Sequence, residues 1–194
     1  MSEYGPDLIL VRHGETEWSL SGQHTGRTEL DLTPRGEDQA KAAGNLLGAR
    51  PFDRVLVSPR NRARHTADLA GLVPFEIDED LAEWDYGDFE GLTTAQIHEQ
   101  YPGWEIWTGP WPGGETAADV EARADRVIAE VLEAGPDRRV ALVAHGHILR
   151  VLAARWIEMD VTAGRRLALD TAAVSELGWE HTARVVHRWN QSPT

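Results

Sequence analysis

Short, nearly continuous apolar runs separated by segments with helical spacing set the rhythm of this chain. Asp7 to Val11, Arg54 to Ser58 and Val140 to Ala144 read as strands buried on both faces, because they lack the polar alternation of a half-exposed strand. Phe75 to Ile77 reads as a short strand, and Ala172 to Leu177 with Ala183 to Trp189 as two final strands close enough in sequence to pair as a hairpin. Between them, Thr116 to Ala134 carries Val120, Ala124, Val127, Ile128 and Val131 along one helical stripe. Leu32-Thr33-Pro34 opens a helix to about Ala49, with Thr33 as N-cap, Pro34 in the first turn and Glu37 near the capping-box position. Further helices are expected from Pro59 to about Ala70 and from Ile148 to Ile157.

The stretch from Leu81 to Glu115 breaks this rhythm. Tyr101-Pro102-Gly103 and Gly109-Pro110-Trp111-Pro112-Gly113-Gly114 mark loops around one short helix, Thr93 to Gln100. Strands alternating with helices predict a three-layer α/β/α sandwich on a mostly parallel sheet. Residues 81–115 are expected to form a loop-rich cap, and residues 1–194 a single domain.

Composition narrows the function classes. A formal charge of −13 argues against a nucleic-acid or anionic-membrane surface. There is no cysteine, so disulfide and thiolate chemistry are excluded. No apolar run approaches the roughly 20 residues that cross a bilayer, and the N-terminus lacks a signal-peptide pattern, so a soluble cytoplasmic protein is expected.

Candidate chemistry collects at strand ends, where open α/β sheets bind ligands. Arg12-His13-Gly14 follows the first strand: a planar fork of donors, a nucleophilic ring nitrogen and a residue that allows close backbone approach. Arg60, Arg62 and Arg64 surround a helix start after the second strand, where an anion is favoured; at most one or two of them can face a site. Ala144-His145-Gly146-His147 repeats the His-Gly pattern after a third strand, so two histidines are expected to face one pocket from neighbouring strands. Leu81 to Gly91 sets acidic residues among aromatics, where a partly desolvated carboxyl can keep a proton for general acid use. His13, His145 and His147 could be read as metal ligands, but no cysteine and no aspartate in ligand spacing accompany them. No metal or cofactor is expected. His147 reads as a helix-start residue, and His24, His65, His98, His181 and His187 have no stronger claim.

In order along nearly the whole chain, these positions resemble the histidine phosphatase superfamily, branch 1, which holds cofactor-dependent phosphoglycerate mutases and small phosphomonoesterases. The matching residues are Arg12-His13-Gly14-Glu15-Thr16; Leu32-Thr33 with Gly36 and Gln39-Ala40; Ser58 with Arg62-Ala63 and Thr66-Ala67; Glu83 with Gly87 and Glu90-Gly91; Gly114-Glu115; and His145-Gly146. The resemblance implies a phosphoglycerate mutase-like fold. It also implies His13 as the nucleophile that becomes phosphohistidine, Arg12, Arg62 and His145 on the phosphate oxygens, and Glu83 as proton donor and then activator of water. Gly146 belongs to the same phosphate site.

The residues that separate mutases from phosphatases favour hydrolysis. Ser19 stands where mutases typically carry asparagine, the cap segment is compact, and few residues follow Trp189, so water is harder to exclude from a phosphohistidine. The segment Thr16 to Gly26, with Trp84 to Gly87, looks most like acid-phosphatase-like members and sugar bisphosphatases; Ser19, Thr25 and the Gly26 amide then become phosphate donors. The expected ligand is a small phosphorylated metabolite of the sugar phosphate, sugar bisphosphate or phosphoglycerate class. Trp104, Trp107 and Trp111 either line a pocket for a sugar face or pack the cap. A mutase remains the alternative within the family, and a non-catalytic module binding phosphorylated ligands the alternative outside it.

Overall fold

The computed structural model describes residues 4–193. Among them a six-stranded sheet runs in the order β3-β2-β4-β1-β5-β6, with β1 Asp7–Arg12, β2 Arg54–Val57, β3 Glu76–Ile77, β4 Arg139–Ala144, β5 Val174–Glu180 and β6 Ala183–Gln191. β1, β2, β3 and β4 are mutually parallel where they pair. β5 lies antiparallel to β1, and β6 antiparallel to β5, so the expected final hairpin forms one flank of the sheet.

The unbroken apolar runs of β1, β2 and β4 follow from burial on both faces. Leu8, Leu10, Leu56, Leu142 and Ala144 pack toward helices α5 (Ala117–Glu133) and α6 (Gly146–Trp156). Ile9, Val11, Val55, Val57, Ala141 and Val143 pack toward α2 (Pro34–Leu46) and α3 (Asn61–Leu69). The result is the three-layer α/β/α sandwich read from the sequence. No helix among the described residues is long and apolar enough to cross a membrane.

A 3-10 turn at Glu79–Leu81 leads into the stretch 81–115, which contains a second at Gly87–Phe89, α4 Thr94–Gln100, and buried Trp84, Trp104 and Trp107 that join the core on the α5/α6 side.

Several boundaries differ from the sequence expectation for local reasons. α2 stops at Leu46 rather than Ala49, because Gly48 turns the chain with φ +71°. A five-residue helix, α1 Glu17–Ser21, was not expected. It is too short to show an apolar period, and its capping box uses Ser19 at the third position instead of glutamate or glutamine. Helix α3 starts at Asn61, and α6 at Gly146, so the His-Gly motif itself opens that helix.

Candidate active site

The parallel register of β1 and β4 brings the two His-Gly motifs together. Arg12 pairs with Ala144, and the His13 amide donates to the Ala144 carbonyl at 2.9 Å. The chain then leaves both strands in step, and the His13 and His145 rings meet edge to face with centroids 5.1 Å apart. Gly14 is required here: a Cβ on it would lie 2.3 Å from the Gly36 carbonyl oxygen at the start of α2. The rest of the N-terminal motif is a brace for this turn. Thr66 accepts from the Gly14 amide, Gln39 from the Glu15 amide, and the Thr33 hydroxyl donates to the Glu15 carboxylate.

His13 lines a cavity of about 170 Å3 together with Arg12, Glu83, Tyr86, Gly146 and Arg150. Its Nδ1 lies 2.7 Å from the Gly14 carbonyl oxygen, an acceptor only, so Nδ1 carries the proton and Nε2 the free lone pair. Burial, and then the charges of Arg62 and Arg12, push the imidazole well below its ordinary range, so it is neutral and able to attack. Arg12 donates Nη1–H to the Leu169 carbonyl at 2.5 Å, while its buried Nε has no partner among the described residues. An unpartnered buried N–H on a cavity-lining arginine is a donor short of an acceptor.

Glu83 sits at the mouth of α6. Its Oε1 accepts from the Trp84 and Ile148 amides and its Oε2 from the His147 amide, each at 2.9 Å. The carboxylate thereby caps two otherwise orphaned helix amides. Arg123 holds the preceding backbone through the Asp80 and Ala82 carbonyls and pairs with Glu115, which accepts from the Asp85 amide. This accounts for the Gly114-Glu115 motif.

Arg62 and His145 lie behind this wall. Arg62 is fully buried: Nε donates to His145 Nδ1 at 3.2 Å, and its terminal nitrogens donate to the carbonyls of Thr28, Thr25 and Gly26. With Nδ1 accepting, His145 carries its proton on Nε2 and donates it to Ser58 Oγ, 2.6 Å away. Both side chains are thus engaged by protein partners, and phosphate contact from either requires one of these bonds to be exchanged. Of the neighbouring arginines, Arg60 pairs with Glu29 and Arg64 is exposed.

The expected donors from the α1 region fare unevenly. Ser19 and Thr25 line the cavity. The Ser19 hydroxyl is bound within the α1 cap, accepting from the Thr16 amide and donating to the Thr16 carbonyl, both at 2.9 Å. Thr25 donates to the Gln23 carbonyl at 3.2 Å. The Gly26 amide does not face a phosphate site: it donates to the Glu90 carboxylate at 2.9 and 3.1 Å, and Glu90 also takes the Thr28 amide. That assignment is corrected: Gly26 is not on the cavity lining, and its amide is taken by Glu90. Gly146 lines the cavity as the first residue of α6.

Residues 8–192 match the histidine phosphatase superfamily (branch 1). The chain belongs to the histidine phosphatase superfamily. Over 179 residues it is 48% identical to the acid phosphatase of Mycobacterium tuberculosis (strain ATCC 25618 / H37Rv), covering 91% of this chain and 88% of that protein. It is 37% identical to the sedoheptulose 1,7-bisphosphatase of Saccharomyces cerevisiae (strain ATCC 204508 / S288c), covering 83% of this chain and 71% of that protein. The solved structure of a Mycobacterium tuberculosis open reading frame product superposes with a TM-score of 0.94 at 45% identity, covering 97% of this chain and 99% of the other.

This histidine phosphatase is a hydrolase whose pocket also contains groups that the sequence reading passed over. Tyr86, His24, His147, Trp18 and Arg150 all line the cavity. Arg150 stacks on the Trp107 ring at 4.7 Å and donates Nε to the Gly164 carbonyl; its terminal nitrogens have no acceptor among the described residues. The one available signal was spacing: Arg150 lies one helical turn beyond His147 on α6. Trp104 and Trp107 line a second cavity beside the first, whereas Trp111 stacks on Trp84. Among the described residues no three histidine, aspartate or glutamate side chains are arranged to hold a metal ion.

Proposed function

We propose that this protein is a phosphomonoesterase that hydrolyses small phosphorylated metabolites through a phosphohistidine at His13, without a metal. The observation that carries this is the His13 ring: neutral, with Nδ1–H fixed on Gly14 and Nε2 left as a lone pair on the cavity wall beside the unpartnered Nε–H of Arg12.

In the first step His13 Nε2 attacks phosphorus as the bond from phosphorus to the ester oxygen breaks, and a proton on Glu83 Oε2 passes to the departing alkoxide. Oε2 accepts only one amide bond and so keeps a lone pair for that proton. In the second step water attacks phosphorus, Glu83 takes the water proton, and His13 leaves as the neutral ring with inorganic phosphate as product. Arg12 holds the phosphoryl oxygens, and Arg62 and His145 stabilise the charge that builds in the transition state.

Arg150 supports a substrate with a second anionic group, a sugar bisphosphate or a phosphoglycerate, because this half-buried guanidinium lines the pocket with terminal nitrogens that have no acceptor among the described residues. The test is phosphate release from sugar phosphates, sugar bisphosphates, 3-phosphoglycerate and p-nitrophenyl phosphate, with and without EDTA, following 2-phosphoglycerate as well. Rapid quenching with labelled substrate should trap an acid-labile, base-stable phosphoryl group that His13→Ala lacks. Isomerisation without release would make the protein a mutase; binding without turnover would make it a binding module.

A further inference from the structure

Two half-buried imidazoles stand between the phosphate cavity and the second cavity, and neither has a role in the two steps above. His24 and His147 line both spaces. The second is about 250 Å3 and is walled by Trp104 and Trp107, with Thr94 and Arg165 also on its lining. Tyr86 ties the pair together, stacking on the His24 ring at 4.7 Å and placing its hydroxyl 2.6 Å from His147 Nδ1.

The direction of that last bond follows from the donor and acceptor strengths of the two groups. Burial, the largest influence on both, pushes the Tyr86 phenol well above its ordinary range and the His147 imidazole well below its own, so both are neutral. A phenol is the better donor of the two and an imidazole nitrogen the better acceptor, so Tyr86 donates to Nδ1 and the His147 proton sits on Nε2, which has no hydrogen-bond partner among the described residues. His24 repeats the feature: burial holds it neutral, with its pKa down to about 4, and its buried Nε2 has no partner among the described residues.

We infer that this wall is a recognition subsite for a hydroxyl-bearing leaving group, the sugar or polyol part of the ester, with His147 Nε2–H as donor, His24 as its companion, and Tyr86 as the positioning residue that fixes the His147 tautomer. The inference rests on the phosphatase reading and adds which part of the substrate these residues read. Uncharged aromatic walls suit the faces of a sugar, and neutral ring nitrogens suit its hydroxyls; a purely alkyl leaving group would leave both nitrogens unmatched. The closed pair Tyr86–His147 also adjoins Glu83, whose Oε2 lies 3.9 Å from His147 Nδ1, so a hydroxyl bound here is held next to the group that protonates the departing oxygen.

The experiment compares the best sugar phosphate of a panel with n-pentyl phosphate, whose alkoxide needs the same protonation but carries no hydroxyls. Wild-type protein should favour the sugar ester in kcat/KM by about tenfold or more, and Tyr86→Phe should erase most of that preference through KM, on the scale of one lost neutral hydrogen bond. A merely structural role for Tyr86 would lower both esters together and overturn the inference, as would a wild type that treats both esters alike. Release from neither ester would instead remove the phosphatase reading. Nitrogen-15 NMR of the unsubstituted protein gives an arm independent of turnover and of how the variant folds: a proton on His147 Nε2 is expected, and a proton on Nδ1 overturns the assignment.

Discussion

Arg62 donates Nε–H to His145 Nδ1 at 3.2 Å, and this single bond sets the proton on the opposite ring nitrogen, where Ser58 receives it. The same guanidinium ties down the carbonyls of Thr25, Gly26 and Thr28, so one buried side chain fixes both a site histidine and the loop beside it.

Arg62→Lys should therefore cost stability as well as activity. A lysine ammonium cannot reproduce the fork, and each buried carbonyl or ring nitrogen left unmatched costs about 1–3 kcal/mol. A loss of about 2–4 kcal/mol by urea unfolding is expected; a change under about 0.5 kcal/mol would contradict the geometry.

Glu83→Gln should separate substrates by leaving group. Alkyl phosphates, which need a proton, should slow by roughly a hundredfold, and p-nitrophenyl phosphate by less than about tenfold. The amide nitrogen would also face either the His147 amide or the Trp84 and Ile148 amides, donor against donor, so a lower melting temperature should accompany the kinetic change. Equal kinetic losses on both ester types would take Glu83 out of the proton-donor role.

For Arg150, the methionine variant keeps an apolar stem against Trp107 and removes the charge. Its KM should rise about tenfold for a sugar bisphosphate or phosphoglycerate and far less for p-nitrophenyl phosphate. A uniform rise across singly and doubly anionic esters would show that Arg150 does not meet a second anion.

Acid should destabilise the fold well before surface carboxylates titrate. His13, His145 and His147 are held well below the ordinary 6.5, and His24 at about 4, in every case first by burial. Well above pH 6.5 these rings are neutral in both folded and unfolded chains and add no pH dependence. As pH falls below 6.5, the unfolded chain binds protons that the folded one refuses, so stability drops, by about 2 kcal/mol per histidine between pH 7 and pH 5. Urea unfolding at those two pH values checks this, and equal stability at both would mean that the rings are protonated in the folded protein.

What the sequence determined on its own was the architecture and the meeting of the two His-Gly motifs. Apolar runs without alternation belong to strands covered on both faces, and two such strands lying parallel and in register must deliver His13 and His145 to one place. Only the tertiary structure decided where the remaining polar atoms go. The Gly26 amide meets Glu90 across 64 residues of sequence, Tyr86 meets His147 across 61, and the Arg62 donors meet the loop at Thr25 to Thr28. Local spacing carries no record of such pairings, because hydrogen bonds act over about 3 Å while the orientation of each loop is set by the packing of the whole cap.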